Sequence, residues 1–128
     1  MEKISFDFDT TLRMPDGSKN NDGMKKILAA MLDPKKEVMI VTSRNGSLND
    51  EHNKDLVKFL DDNDMNKLPV HFTDNKSKAD TLVKLGVDVH YDDDKWEIED
   101  LEGTSVKGIR VPFDLALWKK IMIGNDEE

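Results

Sequence analysis

Strand-like and helix-like segments alternate along the chain, which predicts an α/β protein: a three-layer αβα sandwich around a mostly parallel, Rossmann-like sheet. Two further observations agree. The strand-like runs are short and apolar, as strands buried on both faces are. Acids, hydroxyls and a lysine cluster where strands end or helices begin, which is where open parallel sheets collect their chemistry.

The first strand is read over Lys3–Phe8, where Ile4, Phe6 and Phe8 are apolar. Asp22–Leu32 follows as a helix, with Met24, Ile27, Leu28, Met31 and Leu32 at helical spacing. Glu37–Thr42 is the second strand, through Val38-Met39-Ile40-Val41. Asp50–Asp62 is a polar helix with Leu56, Phe59 and Leu60 on one face, and Pro69–Phe72 a short strand. Ser77–Leu85 is a helix, opened by Ser77 and Asp80 in a capping-box-like spacing and stopped by Gly86. Val87–Tyr91 and Lys107–Val111 are the last strands. Phe113–Ile123 closes the fold as a helix expected to bury Leu117, Trp118, Ile121 and Met122. A single domain is expected over 1–123, with 124–128 as a frayed acidic tail.

Length and composition narrow the function. At 128 residues, one core of useful size forms without staples. The formal net charge of -8 argues against broad electrostatic adhesion to nucleic acid or anionic membranes. The chain has no cysteine, which excludes disulfides, thiol catalysis and thiolate zinc sites. There is no signal-peptide pattern and no apolar run of membrane-spanning length, so a cytoplasmic location and no membrane partner are expected.

Asp7-Phe8-Asp9-Thr10-Thr11 is the most informative stretch. Asp is a poor strand former, and an unpaired carboxylate is costly to bury. Two of them at a strand tip point to a cation or a reacting phosphate; alone, they also fit a solvated acidic turn. The following joints favour chemistry. The second strand ends in Thr42, Ser43 and Arg44; a helix opens at Ser77-Lys78; the fourth strand ends in Asp92, Asp93 and Asp94.

This order resembles the haloacid dehalogenase (HAD) superfamily of phosphohydrolases, whose motifs are D-x-D-x-T/V, a strand-end Thr or Ser, a Lys and a terminal acidic pair. The matching residues are Asp7, Asp9 and Thr11, then Thr42, Lys78, and Asp92 with Asp93. The resemblance spans Ile4 to Val111. It implies that Asp7 attacks phosphorus and forms an aspartyl-phosphate. Asp9 would protonate the leaving alcohol and then take a proton from water. Asp7, the backbone carbonyl of Asp9, and Asp92 would hold Mg²⁺, with Asp93 as a further ligand or an orienting group. Thr42 and Lys78 would hold the transferred phosphoryl group, and Thr11 would brace the turn. Lys76 is the alternative lysine; Ser77 as an N-cap favours Lys78. The residue after the second aspartate, commonly Gly in the superfamily, is Thr10.

The intervals Leu12–Gly23 and Ser43–Asn75 leave no room for a cap domain, so an open, HAD-like site without a cap is expected. Val41-Thr42-Ser43-Arg44-Asn45-Gly46 is similar to the same part of phage polynucleotide 3'-phosphatase domains, which implies Arg44 as a second phosphate-binding cation. Its bland role is pairing with Asp50 or Glu51. The implied substrate is a nucleotide or a nucleic-acid 3'-phosphate end. The alternatives are another small phosphometabolite, an acceptor other than water, or a metal- and phosphate-binding protein of weak turnover. His71 and His90 read as packed rather than catalytic, Asp16-Gly17 and Asp22-Gly23 as turns, Glu97–Glu102 as a solvated acidic face, and Trp96 as either a pocket rim or a packing residue.

Overall fold

The computed structural model describes residues 1–123, so the acidic tail read at 124–128 lies outside the described residues. Ten elements alternate: β1 Glu2–Phe6, α1 Asn21–Met31, β2 Lys36–Thr42, α2 Lys54–Asp62, β3 Val70–Phe72, α3 Ala79–Leu85, β4 Val89–Asp92, α4 Lys95–Glu99, β5 Lys107–Arg110 and α5 Leu115–Ile123. A 3₁₀ turn, Glu51–Asn53, leads into α2. The five strands form one sheet in the order β3-β2-β1-β4-β5, and every pairing is parallel. No helix among the described residues is long and apolar enough to cross a membrane.

The two-residue period of a strand sorts the core into two layers. Ile4 and Phe6 of β1 and Val38 and Ile40 of β2 face one way, onto Met24 and Ile27 of α1 and Leu56, Phe59 and Leu60 of α2. Met39 and Val41 face the other way, onto Leu82 of α3 and Leu101 just after α4. Each such Leu, Ile or Phe contributes about 1.5–3 kcal/mol on burial. Phe8 and Phe59 meet edge to face with ring centroids 5.4 Å apart, which seats α2 beneath the end of β1.

The strand order reverses at β1: the chain steps outward through β2 to β3, then returns to lay β4 on the other side. The crevice of such a sheet lies beyond the carboxyl ends of the strands at that reversal. Asp7 lies there, its N–H bonded to the Tyr91 carbonyl at 2.9 Å.

Several expectations change. Leu28 and Leu32 are exposed, so the buried stripe of α1 is Gly23, Met24, Ile27 and Ala30. Asp22 and Gly23 form the first turn of α1, because Asn20 caps that helix by accepting the Asp22 N–H. Gly23 packs against the Thr11 carbonyl, where a Cβ would overlap it. At α3, no side chain makes a capping bond in the Asp80 direction; Ser77 Oγ accepts the Ala79 N–H at 3.4 Å. Gly86 ends that helix in the left-handed region, as expected, with φ of 71°.

The segment read as a solvated acidic face, Glu97–Glu102, overlaps α4, which is capped by Asp94 accepting the Trp96 N–H. Trp96 itself is exposed. The last helix, α5, buries none of its residues: Leu117 and Met122 are exposed, and Trp118 and Ile121 are half-buried. α5 follows the edge strand β5, and its aromatic contact is with the chain just before it, the Trp118 ring lying 6.4 Å from that of Phe113.

Candidate functional site

Asp7 directly follows the central strand β1 and is buried, with its side chain 8% exposed. Its position is over-determined. Lys78 Nζ donates to Asp7 Oδ1 at 2.7 Å and to Asp92 Oδ2 at 2.7 Å. The Thr11 hydroxyl lies 2.9 Å from Asp7 Oδ2 and 2.9 Å from Asp93 Oδ1, and accepts the Asp93 N–H at 2.9 Å. Thr11 therefore ties the β1 turn to the end of β4. Of the two lysines, Lys78 is the one brought to the carboxylates; Lys76 is exposed.

Asp92 and Asp93 are adjacent in sequence and opposite in environment. His90 is fully buried two residues before Asp92, so both side chains point to the same face. Its Nε2 is 2.9 Å from Asp92 Oδ2, and its Nδ1 is 2.6 Å from the Ser5 hydroxyl. Burial pushes the Asp92 carboxyl up, but the His90 hydrogen bond and the Lys78 charge outweigh it and hold it at about 2. Asp93 has neither partner. Burial, then its hydrogen bond to Asp7 and repulsion from Asp7 and Asp92, push it up to about 8. Burial also raises Asp7 against the pull of Lys78. Lys78 stays protonated, since the two carboxylates outweigh the cost of burying its ammonium.

Two of the three carboxyls, Asp7 and Asp92, thus share one buried ammonium, and Asp93 stands beside them without it. Each of Asp7, Asp92 and Asp93 offers one oxygen, all within 4.8 Å of one another. The donor set is all oxygen and short of positive charge. That suits a hard divalent cation such as Mg²⁺, which binds through a few carboxylates and keeps part of its water shell.

These groups line an open hollow of about 190 Å³, bounded by Asp7, Asp9, Ser43, Lys78, Asp92, Asp93, Asp94 and Glu97. Glu97 accepts the Lys78 N–H at 3.2 Å, and burial raises its carboxyl. A larger hollow, about 440 Å³ at the root of α5, is lined by Arg110, Val111, Pro112, Phe113 and Leu115. It contains no group of carboxyls or hydroxyls able to react, so the smaller, polar hollow is the candidate site.

Asp9 takes a separate path. Its side chain is 47% exposed and is gripped by Arg44 through two bonds, Nε to Oδ2 at 2.9 Å and Nη2 to Oδ1 at 2.8 Å. Arg44 also pairs with Asp55 of α2, at 2.7 and 2.9 Å, and lies over the Phe8 ring. Asp50 and Glu51, the partners read from sequence, are not its partners. Thr42 is fully buried at the end of β2, where its Oγ1 accepts the Arg44 N–H at 3.3 Å; its neighbour Ser43 borders the hollow.

The sequence-predicted residues therefore fall into two groups. Asp7, Lys78, Asp92 and Asp93 converge, with Asp9 at the rim, whereas Thr42 and Arg44 are engaged by protein partners. Glu97 and Asp55 carry no motif that marks them, and Ser43 is marked only as one of the polar residues at the end of β2. The pairing of His90 with Asp92 has a signal in the two-residue spacing on β4. No family model matches this chain, and no curated protein matches it.

Proposed function

We propose that this protein is a Mg²⁺-dependent phosphomonoester hydrolase of the haloacid dehalogenase type, working through an aspartyl-phosphate on Asp7. The observation that carries the reading is the setting of Asp7: a buried carboxylate at the tip of the central strand, 2.7 Å from Lys78, with Asp92 and Asp93 beside it. An acid in that position is costly unless it has a reaction or a cation to serve.

In the first step an Asp7 oxygen attacks phosphorus, the ester P–O bond breaks, and the protonated form of Asp9 gives its proton to the departing alkoxide, leaving the carboxylate that Arg44 pairs with. In the second, water attacks the aspartyl-phosphate, Asp9 takes the water's proton, and the released phosphate leaves Asp7 free. Lys78 supplies fixed positive charge beside the transferred group. A bound Mg²⁺, held by Asp7, Asp92 and Asp93, would neutralise phosphoryl oxygens. Thr11 and the Ser5–His90 chain hold these carboxylates in place.

A nucleotide or a nucleic-acid 3'-phosphate end remains the proposed substrate, on the likeness of the Thr42–Gly46 segment. The net charge of -8 and the acids Asp94 and Glu97 at the rim weigh toward a small nucleotide over a long strand. A cytoplasmic setting suits that substrate. One observation favours a second reading, a metal- and phosphate-binding protein with little turnover: Arg44 holds Asp9 in a bidentate pair.

The test is a panel of phosphomonoesters assayed with Mg²⁺ and with EDTA, for wild type and Asp7→Asn. Hydrolysis that needs Mg²⁺ and disappears in Asp7→Asn is expected. Activity retained in Asp7→Asn refutes the mechanism; phosphate binding without hydrolysis selects the second reading. Mononucleotides against 3'-phosphorylated oligonucleotides then choose the substrate.

A further inference from the structure

We infer that Asp55 is a positioning residue that sets the place of the Asp9 carboxylate through Arg44; the inference rests on the phosphatase reading above. A guanidinium has five N–H groups. In Arg44 all five are engaged: Nε and Nη2 with Asp9, Nη1 and Nη2 with Asp55, and Nη1 again with Asn53 Oδ1 at 3.4 Å. No donor remains for a phosphate, so Arg44 serves Asp9.

The far end of the relay is rigid. Asn53 is fully buried, and its Nδ2 donates to the carbonyls of Asn45 at 2.9 Å and Ser47 at 2.9 Å. That fixes the loop carrying Arg44. Asp55 sits in the first turn of α2, and α2 is seated by Leu56 and Phe59 in the core. Asp9, by contrast, is half exposed at the rim of the hollow, where a carboxylate alone samples several rotamers. The guanidinium fork selects one of them, and Asp55 fixes the orientation of the fork. An acid/base group acts only within hydrogen-bond reach of the proton it moves. Asp55 thereby governs proton transfer without touching the substrate.

The experiment compares wild type, Asp55→Ala and Asp55→Asn on an alkyl phosphate and on p-nitrophenyl phosphate, with Mg²⁺. The alkoxide needs a proton to leave; nitrophenolate leaves without one. Asp55→Ala is expected to lower kcat on the alkyl ester by about 10–100-fold, and on the aryl ester by less than about threefold, with KM unchanged on both. Asp55→Asn is expected to fall between. Equal losses on the two esters, or no loss on either, overturn the inference. If wild type hydrolyses neither ester, the phosphatase reading has failed by itself. The positioning is then decided by the ¹³C resonance of the Asp9 carboxyl. A shift in both Asp55 variants supports it; an unmoved resonance overturns it.

Discussion

Thr10 stands where the motif that Asp7 and Asp9 resemble commonly has Gly, and the structure gives that difference a physical cost. Its φ is 69°, in the left-handed region, which a β-branched residue adopts only under constraint. The constraint is visible. The Thr10 N–H donates to the Arg13 carbonyl at 2.7 Å, and its carbonyl accepts from Asn20 Nδ2 at 2.9 Å. Both bonds use main-chain atoms and survive a change of side chain. Replacing Thr10 with Gly should remove about 1–2 kcal/mol of left-handed strain. The freer unfolded chain gives back about 0.5–1 kcal/mol. The net expectation is a gain of about 0.5–1 kcal/mol, read as a higher urea midpoint at unchanged slope. Thr10→Ala is the control: it keeps a Cβ and most of the strain, so its midpoint should stay near wild type. A fall in Thr10→Gly, or an equal rise in both variants, refutes the reasoning.

Gly23→Ala should destabilise the fold by at least about 1–3 kcal/mol in a urea melt, because its Cβ overlaps the Thr11 carbonyl and pushes α1 off the motif turn. Lys78→Met should cost about 3–5 kcal/mol in EDTA by leaving Asp7 and Asp92 face to face without a cation. Mg²⁺ should restore part of that loss in thermal melts. Acid should weaken the Arg44 relay: hydrogen bonds from Arg44 hold Asp55 at about 2 against an ordinary 3.8. A carboxyl lowered on folding stabilises above its unfolded value and loses that contribution as pH falls through its folded one. Asp55→Asn should therefore show a shallower loss of stability between those two values than wild type in acid melts.

The centre of the sheet is legible because β1 and β2 are short apolar-rich runs closed by polar or turn-forming residues. Val38-Met39-Ile40-Val41 supplies both layers of the core from one strand, a pattern no surface segment would carry. α4 was not legible. Lys95–Glu99 is acidic and short, and its only start signal, Asp94, lay among acids already assigned to chemistry. α5 was read as a helix correctly, and its burial wrongly, because an apolar stripe says that a face prefers cover without saying whether the topology provides any. In the site, Asp7, Lys78 and Asp92 could be placed from strand ends alone. The partner of Arg44 could not. Asp9, Asp50, Glu51 and Asp55 are all within reach of such a loop on paper, and the Asn53 clamp on Asn45 and Ser47 is what selects Asp9 and Asp55.

Asp7 and Asp9 are the same residue type two positions apart, yet the fold gives them opposite surroundings. A continuous strand would aim both to one face. β1 instead ends at Phe6, and the left-handed Thr10 turns the chain back so that its N–H reaches the Arg13 carbonyl. Asp7 keeps the direction of Ser5 and meets Lys78 and Asp92, on the α3 side of the sheet. Asp9 is carried past the tip of β1 to the rim of the same hollow, toward Arg44 and the first turn of α2. One carboxylate is therefore buried beside an ammonium and a potential cation site, and the other is held at a solvent-facing rim by a guanidinium. On the proposed mechanism, the nucleophile must be shielded and charge-balanced, whereas the acid/base group must exchange protons with the leaving group and then with water. The different partners of Asp7 and Asp9 meet those two requirements, and the left-handed Thr10 then turns the chain back beyond Asp9 at the cost of strain that a glycine would not carry.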